Sequence, residues 1–168
     1  MSHDVRVARL IDGSPEEVFH AFTTPGGQEA LYGQDESGWV VRSQCELRVG
    51  GEWTVDFGPS RRELYRHRHV FQVIDRPRRI LASTTETRLD GTTLRFESEF
   101  RFEARGKKTL MTMTQRGLLT AELREEHRRG VPNALARLDR HLRLSRSLTQ
   151  AQHDPNPLSG RSWGPRRR

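Results

Sequence analysis

Apolar and polar residues alternate strictly where Leu94, Phe96, Ser98, Phe100 and Phe102 interleave with Arg95, Glu97, Glu99, Arg101 and Glu103. Period-two alternation marks a strand with one buried face. The same period runs through Trp39, Val41, Ser43, Cys45 and Leu47, then through Trp53, Val55 and Phe57. It recurs at Tyr65, His67, His69, Phe71 and Val73. Segments 3–11, 80–87 and 110–115 complete seven predicted strands. Asp75 to Arg78, Asp90-Gly91 and Arg105 to Lys108 separate them as turns. Gly50-Gly51 reads as a two-residue hairpin turn, because such turns need positive φ and glycine supplies it. Turns this regular predict an antiparallel, up-and-down sheet.

The period changes twice. Ser14 reads as an N-cap, with Pro15 at the first helical position and Glu17 completing a capping box. Val18, Phe19 and Phe22 then give a short amphipathic helix, broken at Thr24-Pro25-Gly26-Gly27. A second short helix is expected over 27–32. Near the end, Val131, Leu135, Leu138 and Leu142 form one apolar stripe at helical spacing. Pro132 either opens this helix or interrupts a longer one beginning near Ala121. Arg137, Arg140 and Arg143 fall off the stripe and are expected in solvent. The reading is α+β: a curved antiparallel sheet of six to seven strands wrapped around a long C-terminal helix, with short helices after the first strand. A helix with one apolar face must bury it, and a curved sheet that grips it leaves a cavity between them.

Composition adds boundaries. At 168 residues the chain suits one domain, and a core of that size buries roughly 70% of the unfolded surface. No metal or disulfide is needed for stability, and the single Cys45 cannot form an internal disulfide. No apolar stretch resembles a signal peptide or a bilayer span, so a cytoplasmic chain without membrane insertion is expected. The net charge of +7 would point to nucleic acid if it were spread over a groove. Residues 143–168 instead carry +5 of it, in Arg143, Arg146, Arg161 and Arg166 to Arg168 against Asp154. A domain at 1–147 followed by a disordered basic tail at 148–168, with Pro155, Pro157, Gly160 and Pro165, accounts for that asymmetry without a specific nucleic-acid partner.

Four stretches, in order, resemble the family named after the activator of the heat-shock-protein-90 ATPase, within the START-like, helix-grip superfamily to which the birch-pollen allergens belong. They are Ser14-Pro15-Glu16-Glu17-Val18-Phe19, the hairpin Leu47 to Trp53, the strand-turn-strand Val70 to Leu81, and Gly130 to Leu142. The resemblance covers about 5–145 and implies a helix-grip fold with a pocket. Two positions depart from the family pattern. Leu31-Tyr32 stands where the family often has Trp and an aromatic, and Gly130-Val131 where it often has Gly-Trp. Both departures change the shape of the implied cavity.

Candidate chemistry is sparse. His67 and His69 share a strand face with Tyr65 and Phe71, which turns them inward. A zinc site would need a third ligand, and none is evident by spacing, so no metal and no cofactor are expected. No catalytic residue is assigned, because no nucleophile–base order can be argued. The predicted ligand-binding wall comprises Trp39, Val41, Trp53, Val55, Phe57, Tyr65, His67, His69, Phe71, Phe96, Ser98 and Phe100 from the sheet, with Leu135 and Leu138 from the closing helix. A small hydrophobic molecule is the expected partner. An enzyme of cyclase or hydrolase type using the same pocket, and a chaperone-linked protein-interaction module, are the alternatives, in a monomer or a homodimer.

Overall fold

The computed structural model describes residues 3–153. Its elements follow the order β1 (Val5–Ile11), α1 (Pro15–Phe22), α2 (Pro25–Tyr32), β2 (Val40–Cys45), β3 (Glu52–Ser60), β4 (Glu63–Asp75), β5 (Arg79–Thr87), β6 (Thr93–Arg105), β7 (Lys108–Arg116) and α3 (Ala121–His153). All seven strands form one antiparallel sheet, ordered β1-β7-β6-β5-β4-β3-β2. β1 closes against the last strand, so the sheet is a meander completed by its own N-terminal strand. It curls around α3, with α1 and α2 across one end.

The core sits on the concave face. Phe19 and Phe22 of α1 meet Phe100, Phe102 and Trp53 of the sheet, with Phe22 ring centroids 4.6 Å from Phe100 and 5.2 Å from Trp53. Val131, Leu135 and Leu138 of α3 are buried against the same cluster, so the apolar stripe is the gripped face. On α1, Ser14 accepts from the Glu17 amide at 3.2 Å. Its hydroxyl donates to the Glu17 carboxylate, so only half of the expected capping box forms. Pro25 opens α2 at its first position instead of ending α1. On the convex face, the buried carboxylate of Glu99 gathers Arg79, Arg101 and Arg116.

Two local expectations change and one open alternative is settled. Gly50-Gly51 is not a two-residue hairpin turn. Cys45 pairs with Trp53, so 46–51 is a six-residue loop, and only Gly50 has positive φ, at 82°. The loop continues the sheet: Gly50 donates to the Phe71 carbonyl at 2.8 Å, and Phe71 donates to that of Gly51 at 3.0 Å. Leu47, expected on the buried face, therefore lies exposed in the loop. On β4 the inward row ends at Phe71. The register against β5 slips between Phe71 and Val73, a bulge that flips the face, so Ile74 rather than Val73 packs on the core. Finally, α3 is the longer helix, running through Pro132 from Ala121 to His153. Pro132 sits on its exposed face, where water can serve the carbonyl that proline leaves without a donor. The helix passes the predicted tail boundary at 147, and Arg143 and Arg146 are ion-paired to Asp139, Asp12 and Glu17. Residues 154–168, with Arg161 and Arg166 to Arg168, lie outside the described residues.

The two loop glycines do different work. A Cβ on Gly51 would lie 2.3 Å from the Glu46 carbonyl oxygen, against backbone, whereas Gly50 has space but a left-handed φ. Gly50→Ala is expected to cost about 1–2 kcal/mol from backbone strain. Gly51→Ala should cost more, because the loop itself must shift. Urea melts of both variants check the order; equal midpoints would contradict it.

Candidate functional site

The concave face is filled at one end and open at the other. Under α1 the aromatic rings of Phe19, Phe22, Phe100 and Phe102 are buried and in mutual contact. Between the end of α2, strands β3 to β5 and the first half of α3 lies an open pocket of about 390 Å³. Its wall is aromatic, formed by Tyr32, Trp39, Phe57 and Tyr65, and its α3 side carries the small residues Gly130 and Ala134. Trp39 precedes β2 and is fixed by its indole N–H, which donates to the Tyr32 carbonyl at 3.0 Å. Phe57 stacks on Tyr65, with centroids 5.5 Å apart.

The floor is polar and buried. β5 alternates Ile80, Ala82, Thr84 and Glu86 inward, which delivers a carboxylate beneath the pocket. His67 Nε2 lies 2.9 Å from Glu86 Oε2, and His127 Nε2 of α3 lies 3.2 Å from the same oxygen. Arg88 holds Oε1 at 3.0 Å and reaches Glu126 with its other nitrogen. The outer ring nitrogens are also occupied: His67 Nδ1 meets Tyr32 Oη at 2.8 Å, and His127 Nδ1 meets Gln115 Oε1 at 2.7 Å. From Tyr32 the chain continues to His69 Nε2 at 3.2 Å, from His69 Nδ1 to Thr84 at 2.8 Å, and from Thr84 to Ser98 at 2.7 Å.

An ionised carboxylate only accepts hydrogen bonds. With one proton on each of His67 and His69, that fixes a single order along their chain; His127, with Nε2 at Glu86 and Nδ1 at Gln115 Oε1, needs either a proton on both nitrogens or the Gln115 amide turned to present its nitrogen. His67 donates to Glu86 through Nε2, so its Nδ1 accepts from the Tyr32 hydroxyl. Tyr32 in turn accepts from His69 Nε2–H, and His69 Nδ1 accepts from Thr84, which accepts from Ser98. From Ser98 to His67, every donor points toward Glu86. The ionisation follows the same geometry. Burial alone would raise the Glu86 pKa, but hydrogen bonds from His127 and His67 outweigh it and hold the group below the usual carboxylate range. Burial, and then the charge of Glu86, push the Tyr32 hydroxyl far above its ordinary value. Burial, and then the neighbouring His67 ring, hold His69 well below the usual histidine value. Among the described residues, no group of three His, Cys, Asp or Glu side chains is arranged to hold a metal ion.

Of the predicted wall, Trp39, Phe57, Tyr65 and His67 line the pocket. His69 and Ser98 lie behind it in the hydrogen-bond chain. Trp53, Val55, Phe71, Phe96, Phe100, Leu135 and Leu138 are buried in packed clusters and do not line it, and Val41 is partly buried against the same core. Most are taken up in the main cluster where α1 and α3 meet the sheet, and Phe96 packs with Val5 and Leu118 in a second one. Arg137, expected in solvent, is half-buried at the pocket and donates to the Ala30 and Leu31 carbonyls. Glu86, His127 and Gln115 were not predicted. The inward row of β5, the helical stripe extended back four residues from Val131, and the Met111-Met113 row of β7 carry their signals.

A curled antiparallel sheet gripping a long C-terminal helix, with a cavity left beside that helix, defines a START-like, helix-grip protein. Residues 12–143 match the model of the family described as Activator of Hsp90 ATPase homolog 1-like protein, and the chain belongs to that family. No curated protein matches the sequence significantly. Among solved structures, a Rhizobium leguminosarum protein is similar at TM-score 0.72 with 15% identity, over 86% of this chain and 96% of that one. The Mll3558 protein of Rhizobium loti is 24% identical at TM-score 0.64, over 82% of this chain and 97% of its own. DynU16, a protein of the dynemicin biosynthetic locus, matches at TM-score 0.67 and 16% identity, over 85% of this chain and 48% of that one. These likenesses establish the fold. No helix among the described residues is long and apolar enough to cross a membrane.

The buried groups set a pH dependence. His69 is neutral in the fold and titrates near 6.5 when unfolded, so its contribution is complete above that value and is lost as pH falls below it. Glu86 acts in the same direction in a lower window, below about 4.5. Stability should therefore fall by roughly 1 kcal/mol between pH 6.5 and 5.5, and His69→Gln should flatten that step. Denaturant melts across this range test it; a wild-type curve flat from pH 7.5 to 5.5 would contradict the buried, neutral ring.

Proposed function

We propose that the chain is a binding module for a small, largely apolar, ring-containing molecule held in the pocket between β3–β5 and α3. The carrying observation is the combination of an aromatic-walled space of about 390 Å³ with a polar floor that is already satisfied. Ligand pockets of this kind are mostly apolar, with a few placed polar groups. A ligand entering here need not break the floor network. The cytoplasmic location and a monomeric or homodimeric state belong to the same proposal, as does the absence of nucleic acid and of bilayer insertion from its action.

The alternative of an enzyme using His67 or His69 as acid or base receives less support. General acid–base catalysis needs a nitrogen within hydrogen-bond reach of the substrate. Both nitrogens of each ring are engaged with protein groups, and those of His67 face Glu86 and Tyr32. A chaperone-linked role rests on the family description alone.

Gly130 offers a clean test. It lines the pocket, and a Cβ there meets nothing within 4 Å. Gly130→Leu should fill the space without displacing backbone, and should also relieve the helix of a glycine, a gain approaching about 1 kcal/mol. The neutral fluorophore N-phenylnaphthylamine is expected to bind the wild type with a rise in emission and to bind the variant at least tenfold more weakly. Unchanged binding by a folded Gly130→Leu variant would sink the assignment of this pocket.

A further inference from the structure

Arg137 is the one charged side chain of the pocket lining that the floor network does not engage. It lies on α3 one turn beyond Asn133 and lines the space beside Leu31 and Tyr32. Its Nε donates to the Ala30 carbonyl at 3.3 Å, and its Nη2 to that of Leu31 at 2.8 Å. Nη1 has no hydrogen-bond partner among the described residues. Most other arginines of the helix are neutralised: Arg128 and Arg129 by Glu125, Arg140 by Asp35, Arg143 by Asp139, and Arg146 by Asp12 and Glu17, while the exposed Arg124 donates to the Asp4 carbonyl away from the pocket. Arg137 alone combines half-burial, a place on the pocket wall and only neutral carbonyls as partners.

Those carbonyls end α2, so a helix cap is part of its role. The cap leaves an uncompensated guanidinium at the edge of a low-dielectric space. Burial lowers its pKa, Arg140 adds to the effect and Asp35 opposes it, the signature of a cation short of counter-charge. The two pocket carboxylates do not supply it. Glu86 and Glu126 share Arg88, and residues 126 and 137 are separated by roughly 16 Å of helix. Elsewhere on the pocket lining, the side chains of Asn133, Gln34 and Tyr65 have spare hydrogen-bonding capacity.

We infer that the ligand of this pocket carries an anionic group, a carboxylate or similar oxyanion on an apolar ring body, and that Arg137 is the residue that selects it. The inference rests on the pocket being the ligand site. A guanidinium paired with a carboxylate forms a charge-assisted, geometrically specific contact, and a partly desolvated cation rejects a neutral isostere by remaining unpaired.

Naphthalene carboxylate and its methyl ester differ in charge and little in shape, and their affinities are to be measured by calorimetry against four forms of the full chain. For the wild type, the carboxylate should bind at least tenfold more tightly than the ester. Arg137→Gln should bring that ratio to about one while changing ester affinity little. Arg137→Lys, which keeps the charge, should retain most of the preference, and so should Arg140→Gln, which removes a neighbouring surface charge. An arginine that merely caps α2 would change the melting temperature of Arg137→Gln but leave the ratio untouched, and that result would overturn the inference. Equal binding of the two probes by the wild type would overturn it as well, with the pocket assignment intact. If neither probe binds the wild type, the pocket reading fails and takes this inference with it.

Discussion

The carboxylate of Glu86, ionised and buried beneath the sheet, is the interaction on which the open end of this molecule depends. A buried charge is tolerated only when it is fully hydrogen-bonded, and removing one partner of such a group costs several kcal/mol. Glu86 has two imidazoles on one oxygen and a guanidinium on the other. These partners come from β4, from α3 and from the residue just past the end of its own strand, so one group ties the sheet to the first half of the closing helix where apolar packing is thin. Tyr32 carries the same ordering to the end of α2. Without this network the polar side chains would have to be solvated, and the cavity would be a wet cleft.

The division of the concave face follows from it. One half is an ordinary core of Phe19, Phe22, Trp53, Phe100 and Leu135. The other half holds its shape by hydrogen bonds and stays open because Gly130 and Ala134 withhold side-chain volume. Both departures from the family pattern, Leu31-Tyr32 and Gly130-Val131, fall on the lining of this space. Tyr32 places a hydroxyl where the two histidines need one, and Val131 leaves room that a tryptophan would occupy. The family fold is thus retained while these two positions shape the cavity of this chain, and function resides in a site carried by a common scaffold.

Much of the fold was legible because it follows from periodicity. The alternation of β6, the stripe of α3 and the Ser14-Pro15 entry to α1 state their faces directly. The Gly50-Gly51 loop was misread because a glycine pair satisfies both a tight turn and a close backbone approach, and only the pairing with Phe71 separates them. The bulge at Gln72 is silent in sequence, since both Val73 and Ile74 are apolar. The site was legible in part. His67 and Tyr65 announce themselves by alternation, but Glu86 and His127 become partners only when β5 and α3 meet in space. Which aromatic residues line a cavity and which fill a core depends on where α1 sits, which no period on the sheet reveals. Arg137 was placed in solvent because its position off the stripe says nothing of the α2 carbonyls above it.

The most direct test of this account is the proton order of the floor. Long-range proton–nitrogen correlation spectra of the histidine rings at neutral pH report which nitrogen carries hydrogen. The account predicts protons on Nε2 of both His67 and His69, with Nδ1 of His69 bare and accepting from Thr84. A proton on Nδ1 of His69, or a bare Nε2 on His67, would mean that the donors do not converge on an ionised Glu86, and would contradict it.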